Sequence, residues 1–473
     1  MLVLAAVFCA ALAALSYNLN HIGLAETFVD PVARIPAQDE AVYSSTALHM
    51  ASSGGWLTPM FLGRYAFYKP PLLYWAVAVS SRLGASLRLP SLLAGAALAT
   101  LLFAWMWSAH SLAAAIAGTA LLVFDRVFFE LSRLVLTDML LLLWIAIALA
   151  AMHWKAPWWI AGIAAGLAIL TKGVAGFLPL LIILASGAGL KRFTQICSLA
   201  ALVAAPWHLY QLATHTRWFW AEYILTEHFT WAVATPSQST QEPQLWYYLR
   251  RLWITDRVLS LAALAGAAFL VRERNRLLTV WIAVVLLAFF GFGYRNTSYL
   301  VLLIPPLCLV AARAARHWTA ASMILIATAT QIHKLPYQAE HPLPSVQTLR
   351  NYAALQRPND LIIVAPDDEF VSATLPIRHV RYCFFDLNPS APPLPLDFRY
   401  LGITLTVPEF NNLAKTKPIY AQRLADFGLP STAPIGTVIT ARTWDEVNAL
   451  IAANPASDFF LPGRMIYGTT TAP

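Results

Sequence analysis

The chain has 473 residues, of which 59% are hydrophobic and only 12% charged, and its mean hydropathy is +0.59. Soluble domains carry about a quarter charged residues, so the composition excludes a soluble globular protein and requires a polytopic helical membrane protein. The net charge of +8 is no nucleic-acid footprint, because residues 336–473 hold 10 Lys+Arg against 12 Asp+Glu while residues 1–335 hold 22 against 12. The excess gathers in short connections (Lys191-Arg192, Arg272/Arg274/Arg276 and Arg313/Arg316), as the positive-inside rule requires of cytoplasmic loops.

In chain order, Met1 to Tyr17 is apolar without a basic leader and reads as an uncleaved first span rather than a signal peptide. Further apolar runs lie near 89–107, 110–124, 137–153, 158–170, 174–190, 194–213, 252–271, 277–293, 299–312 and 318–332. They predict about 11 transmembrane helices in a membrane domain over residues 1–335, with a first outer loop over about 20–88. The stretch 71–85 is also apolar, yet it holds Ser80, Ser81 and Arg82. If it lies in the interface, all three basic connections fall on the inner side; if it crosses, all three fall outside, so we read it as an interfacial helix. Asp39, Lys69, Asp138, the Thr171-Lys172-Gly173 turn, the loop 214–250, the turn 294–298 and the C-terminal tail then share the outer face.

"QDEAVYSSTALHMASSGG" predicts a helix that opens near Asp39-Glu40 and ends at Gly54-Gly55. Asp39 is either an N-terminal cap carboxylate or a general base. In "FLGRYAFYKPPLLYW", Lys69 either snorkels to head groups or meets an anion. Asp138 opens a span in "LTDM", where a carboxylate is costly unless capped, paired or facing a cavity. Upstream, Arg126 and Arg133 are interfacial anchors or partners for it. Lys172, Glu227-His228 and Arg295 with Tyr299 complete the polar set, and cations in such a place suit a phosphate. The four cysteines show no metal spacing and no disulfide framework.

Residues 336–473 change character and predict a small soluble α/β domain. "NDLIIVAPDD" and "PIGTVITA" read as buried strands, and "TWDEVNALIAAN" as an amphipathic helix with a capping box at Thr443 and Glu446.

The order and spacing of "QDEAVYSSTALHMASSGGWLTPMFLGRYAFYKPPLLYW", "LTDM", "LAILTKG", "EHF…WYYL" and "YRNTSYLVLLIPP" resemble the GT-C membrane glycosyltransferases. The similar group holds the lipid A 4-amino-4-deoxy-L-arabinose transferase and the protein O-mannosyltransferases, and the resemblance covers roughly residues 20–310. It implies a polyprenyl-phosphate monosaccharide donor, transfer with inversion at the periplasmic face of a bacterial inner membrane, and a glycolipid or glycan acceptor. It implies neither a cofactor nor a metal nor a nucleic-acid partner, and membrane lipids are the surroundings. By the same resemblance Asp39, Lys69 and Asp138 are catalytic, Asp39 as base and Lys69 at the leaving phosphate. Glu40, Tyr43, Tyr68, Lys172, His228, Arg295 and Tyr299 are then substrate-binding. Two departures stand out: Tyr68 replaces an acidic residue of the aminoarabinose transferases, and Arg295 replaces a lysine. The alternatives are a protein mannosyltransferase and, in another class, a lipid or sugar transporter, which would place polar groups near the bilayer midplane.

Overall fold

A computed structural model describes residues 1–17, 19, 37–61, 64–230, 244–291, 296–335, 360–361, 380–385, 403–404 and 461–464. The chain divides into two compact units, one of Met1–Leu19 with Phe67–Gln338 and the other of Asn20–Ala66 with Ala339–Pro473.

The first unit is helical. Its elements are α1 (Leu2–Ser16), then, after α2 (Ala37–Ser53) of the other unit, α3 (Leu72–Arg82), α4 (Leu89–Ala109), α5 (Leu112–Val123), α6 (Arg126–Ser132), α7 (Asp138–His153) and α8 (Trp158–Lys172). There follow a 3-10 turn (Gly173–Phe177), α9 (Leu178–Ala185), α10 (Leu190–Thr214), the short α11 (Thr216–Phe219) and a π-helix over Trp220–Thr230. α12 (Gln244–Thr255), α13 (Arg257–Glu273), α14 (Arg276–Gly291), a 3-10 turn (Thr297–Leu302), α15 (Ile304–Ala311) and α16 (Trp318–Ala329) close the unit.

Among the described residues, three helical runs are long and apolar enough to cross a membrane: Leu89–Ala109, Trp158–Ala185 and Leu190–Thr214. Two bent pairs raise the number to five, and α1, α7, α14 and α16 are shorter apolar helices. The protein is a multi-pass membrane protein. At 11 residues, α3 falls short of the ~17–25 that a spanning helix needs.

The bends have identifiable causes. Asp125 accepts from Phe128 N at 2.9 Å and so starts α6 at 67° to α5, just past the end of the apolar run 110–124. Asp256 accepts from Leu259 N at 2.8 Å and starts α13 at 113° to α12. The run read as beginning at residue 252 therefore begins its helix at Arg257. A carboxylate at an N-cap satisfies an orphan N–H and faces the positive end of the helix dipole. Within the run Trp158–Ala185, Gly173 takes φ +53 and ψ −120 and stops α8. That conformation mirrors the extended region and is open to glycine.

Arg133, read as an anchor or a partner for Asp138, instead donates to the carbonyls of Leu15 at 2.9 Å and Tyr17 at 2.6 Å. It caps the C-terminal end of α1, where the dipole favours a cation. Arg126 pairs with Glu130 one turn along α6, at 2.7 Å.

In the second unit, α2 (Ala37–Ser53) precedes a two-residue hairpin of β1 (Met60–Phe61) and β2 (Arg64–Tyr65). Gly54, at φ +76, ends α2 as the sequence predicts. Near the C-terminus, β4 (Val380–Phe385) pairs in parallel with β3 (Asp360–Leu361), β5 (Ile403–Thr404) and β6 (Leu461–Arg464). β3 falls within "NDLIIVAPDD", whereas "PIGTVITA" and "TWDEVNALIAAN" lie outside the described residues.

Candidate active site

The site in the first unit is built from three meeting segments: the turn Phe67–Lys69, the π-helix, and the end of α8. Phe67 is held twice. Its N–H donates to the buried carboxylate of Glu222 at 2.9 Å, and its ring packs edge-on against Phe219 at 5.4 Å and beside His215 at 5.8 Å. Two residues on, Lys69 forms an ion pair with Glu227, whose side chain is 4% exposed against 19% for the lysine.

Glu222 and Glu227 reach the same turn because they lie five residues apart in a π-helix. An i→i+5 hydrogen-bond ladder stacks such residues, whereas at 3.6 residues per turn they point to opposing sides. The same spacing sets the Tyr223 and His228 rings edge-on to one another, with centroids 4.5 Å apart. His208 Nδ1 lies 2.8 Å from the carbonyl of Ala204, which can only accept, so Nδ1 carries a proton. In the neutral ring Nε2 then accepts from the Tyr223 hydroxyl at 2.8 Å. Burial, with the Glu227 carboxylate second, pushes the Tyr223 phenol upward. Burial is also the main cause that holds His228 down to about 4, with Lys69 and His208 adding to it.

Gly173 brings α8 against this ladder. A Cβ there would lie 2.7 Å from Tyr223 Oη and 2.8 Å from His228 Cε1, so the close approach depends on glycine. Next to it, Lys172 pairs with Asp138 at 2.8 Å, and its ammonium stands 5.5 Å from the centroid of the Tyr299 ring. Asp138 is the first residue of α7 and lies in a buried position. Its partner is Lys172, neither of the two arginines upstream.

Lys69, Asp138, Lys172, His228 and Tyr299 thus converge, and Tyr68 is buried beside Lys69. Arg295 lies outside the described residues. Asp39, Glu40 and Tyr43 belong to the second unit, with Asp39 and Glu40 in the first turn of α2 and Glu40 and Tyr43 buried. Sequence reading missed Glu222, Tyr223 and His208. The signal was the pair of repeats at a spacing of five in "EYILTEH", which a helical wheel of period 3.6 disperses.

Chemically, the arrangement presents two ammonium groups, each already held by a carboxylate, together with aromatic rings and a neutral histidine. Such a set can receive a phosphate and stabilise charge that develops on it.

A family profile described as Dolichyl-phosphate-mannose-protein mannosyltransferase matches residues 36–235. The undecaprenyl phosphate-alpha-4-amino-4-deoxy-L-arabinose arabinosyl transferase of Aeromonas salmonicida is 27% identical over 238 residues, 45% of this chain and 42% of that protein. The chain therefore spans less than half the length of that relative. Among solved structures, apo ArnT from Cupriavidus metallidurans superposes with a TM-score of 0.60 at 17% identity, over 80% of this chain and 86% of that one. The same protein bound to undecaprenyl phosphate gives 0.58 at 17% identity, over 84% and 90%. By fold, then, the chain is a polytopic helical membrane protein with the GT-C fold.

Proposed function

We propose that the chain transfers a monosaccharide from a polyprenyl phosphate, undecaprenyl phosphate in a bacterium, to a lipid A-type or other glycolipid acceptor. The observation that carries this reading is the meeting of Lys69 and Lys172, each with a carboxylate partner, around one π-helix. Cleaving a sugar–phosphate bond leaves a phosphomonoester, and preorganised cations lower the energy of the charge that builds up on it. Lys69 is the leaving-group clamp, and Lys172 with Asp138 lines the same end of the helices. Lys172 stands over the Tyr299 ring, which helps to hold its ammonium in place. Arg295 adds a cation on its sequence position alone.

Asp39 is the base that takes the acceptor's proton. Its support is its sequence motif and its place inside the matched residues 36–235, which also hold Glu40, Tyr43, Tyr68, Lys69, Asp138, Lys172 and His228. Inversion then follows from attack opposite the leaving phosphate. We place this chemistry on the periplasmic side of an inner membrane, and assign about 11 spans to residues 1–335 and a soluble domain to residues 336–473. The parallel pairing of β4 supports an α/β tail, because parallel strands require crossover connections. Tyr68, where the aminoarabinose transferases carry an acid, argues for a sugar without a positive charge. A protein acceptor is the second reading, favoured by the description of the family profile.

Mass spectrometry of lipid A, core and O-antigen from cells that make the wild type or Asp39→Asn tests the reading. A mass increment present only with wild type supports it, since loss of a general base costs about 10²–10⁴ in rate. Identical spectra from two folded proteins overturn the glycolipid assignment. Separately, Lys69→Met should weaken binding of undecaprenyl phosphate to the purified chain, and unchanged binding would remove the clamp.

A further inference from the structure

The clamp lysine is not a bare cation, and the carboxylate that neutralises it lies deeper in the protein than the lysine does. We propose that Glu227 is a specificity-determining counter-ion which lets Lys69 hold a singly charged phosphodiester while disfavouring the doubly charged phosphomonoester. The inference rests on the reading of Lys69 as the phosphate clamp.

The argument begins with charge. A polyprenyl-phosphate sugar carries one negative charge on its phosphodiester. After transfer, the monoester carries about −1.5 to −2 at pH 7, its second pKa being near 6. Lys69 and Glu227 together sum to zero, so the pair offers a ligand one well-placed donor without a net positive field. A fixed carboxylate beside that donor repels each negative charge of the ligand, and therefore repels the product more than the donor. The low exposure of Glu227 strengthens this, because solvent screens a buried charge poorly. Product departure limits turnover in many enzymes, so a group that selectively weakens product binding acts on the overall rate.

The geometry separates this role from simple support of the turn. Glu222, one rung up the π-helix, takes the Phe67 N–H, and Phe219 and His215 hold the Phe67 ring. The turn that carries Lys69 thus keeps its anchors when Glu227 loses its charge. Glutamine at position 227 keeps the length and a hydrogen-bonding oxygen, removing only the charge.

The test uses the full chain in detergent at pH 8, with undecaprenyl phosphate and its methyl phosphodiester as probes. Glu227→Gln should tighten the monoester on the order of tenfold, the effect of removing one nearby like charge, and tighten the diester by less. Glu227→Asp, which keeps the charge, should bind both probes as the wild type does. With sugar donor and acceptor supplied, Glu227→Gln should show stronger inhibition by added undecaprenyl phosphate. If Glu227→Gln binds the monoester no tighter, or tightens both probes equally, the inference is overturned. Lys69→Met keeps the two failures apart. If it weakens binding while Glu227→Gln changes nothing, only the counter-ion role falls; if it leaves binding unchanged, the clamp itself falls.

Discussion

His228 shows how one residue reports on the packing around it. Its imidazole is held down to about 4 from the ordinary 6.5, first by burial and then by the Lys69 ammonium with His208 adding to it, against the hydrogen bond its ring donates to the backbone carbonyl of Glu227. The unfolded chain takes up this proton as pH falls through about 6.5, but the folded chain does so only near 4. In that window the unfolded state binds more protons, so stability falls as pH falls. Thermal unfolding in detergent should therefore lose midpoint temperature between pH 6.5 and 4, and His228→Gln should make that loss shallower without abolishing it. Equal slopes for variant and wild type would show that His228 titrates freely. Asp138, by contrast, owes its place to an ion pair with Lys172, a partner 34 positions along the chain that no local pattern names.

At the scale of elements, the apolar runs were readable because spanning helices need length and hydrophobicity, and α4, α8 and α10 follow them closely. Neither the break at Asp256 inside the run 252–271 nor the bend at Asp125 just past the run 110–124 was readable. Asp125 and Asp256 are single polar residues at the edges of apolar stretches, and whether such a residue caps a bend or ends a span depends on the tertiary structure. The π-helix was invisible for a different reason: its period is not the one used to search for helices. The site residues found from sequence were those in contrast with their surroundings, such as Lys69 among aromatics, while Glu222 and Tyr223 sit in an ordinary-looking loop. One element makes a prediction of its own. α12 stands at 113° to α13, whose run reads from the sequence as a span; it buries Tyr248 and Leu252, and exposes Trp246, Leu249, Trp253, Arg250 and Arg251. A helix that turns from a span by about a right angle runs along the membrane surface, with its apolar side about 5–10 Å into the head-group boundary. A nitroxide placed by Trp253→Cys in a cysteine-free background should, in liposomes, collide with oxygen more than with a water-soluble nickel chelate. Accessibility equal to that of a label in bulk water would rule out an interfacial α12.

At the scale of the first unit, the site depends on how closely two long helices approach. α8 ends in Lys172 and Gly173, while α10 runs on through His215 and α11 into the π-helix that carries Glu222 and Glu227. The seam between them is expected to set the distance between the two ammonium groups. Gly162 and Gly166 stand one turn apart on α8, the small-xxx-small spacing that lets membrane helices pack backbone to backbone. A Cβ at Gly166 would lie 2.6 Å from Val203 Cβ and 2.9 Å from the Ala200 carbonyl, whereas one at Gly162 would meet Leu199 Cβ at 2.9 Å. Gly166→Ala should therefore push α10 outward and cost about 1–3 kcal/mol, the usual penalty of overpacking. Val203→Gly removes the nearest obstacle, although it costs about 1 kcal/mol on its own as a helical glycine. The double variant should then be more stable than the two separate losses sum to, with a coupling of about 0.5–3 kcal/mol. Gly162→Ala combined with Val203→Gly serves as the control. Its clash is with Leu199, so its effects should add to within about 0.5 kcal/mol. Binding of undecaprenyl phosphate should follow the same order, weakened by Gly166→Ala and partly restored by Val203→Gly. If stability recovers in the double variant while binding does not, the seam holds the helices together without setting the geometry of the lysines, and the site is positioned by the π-helix alone.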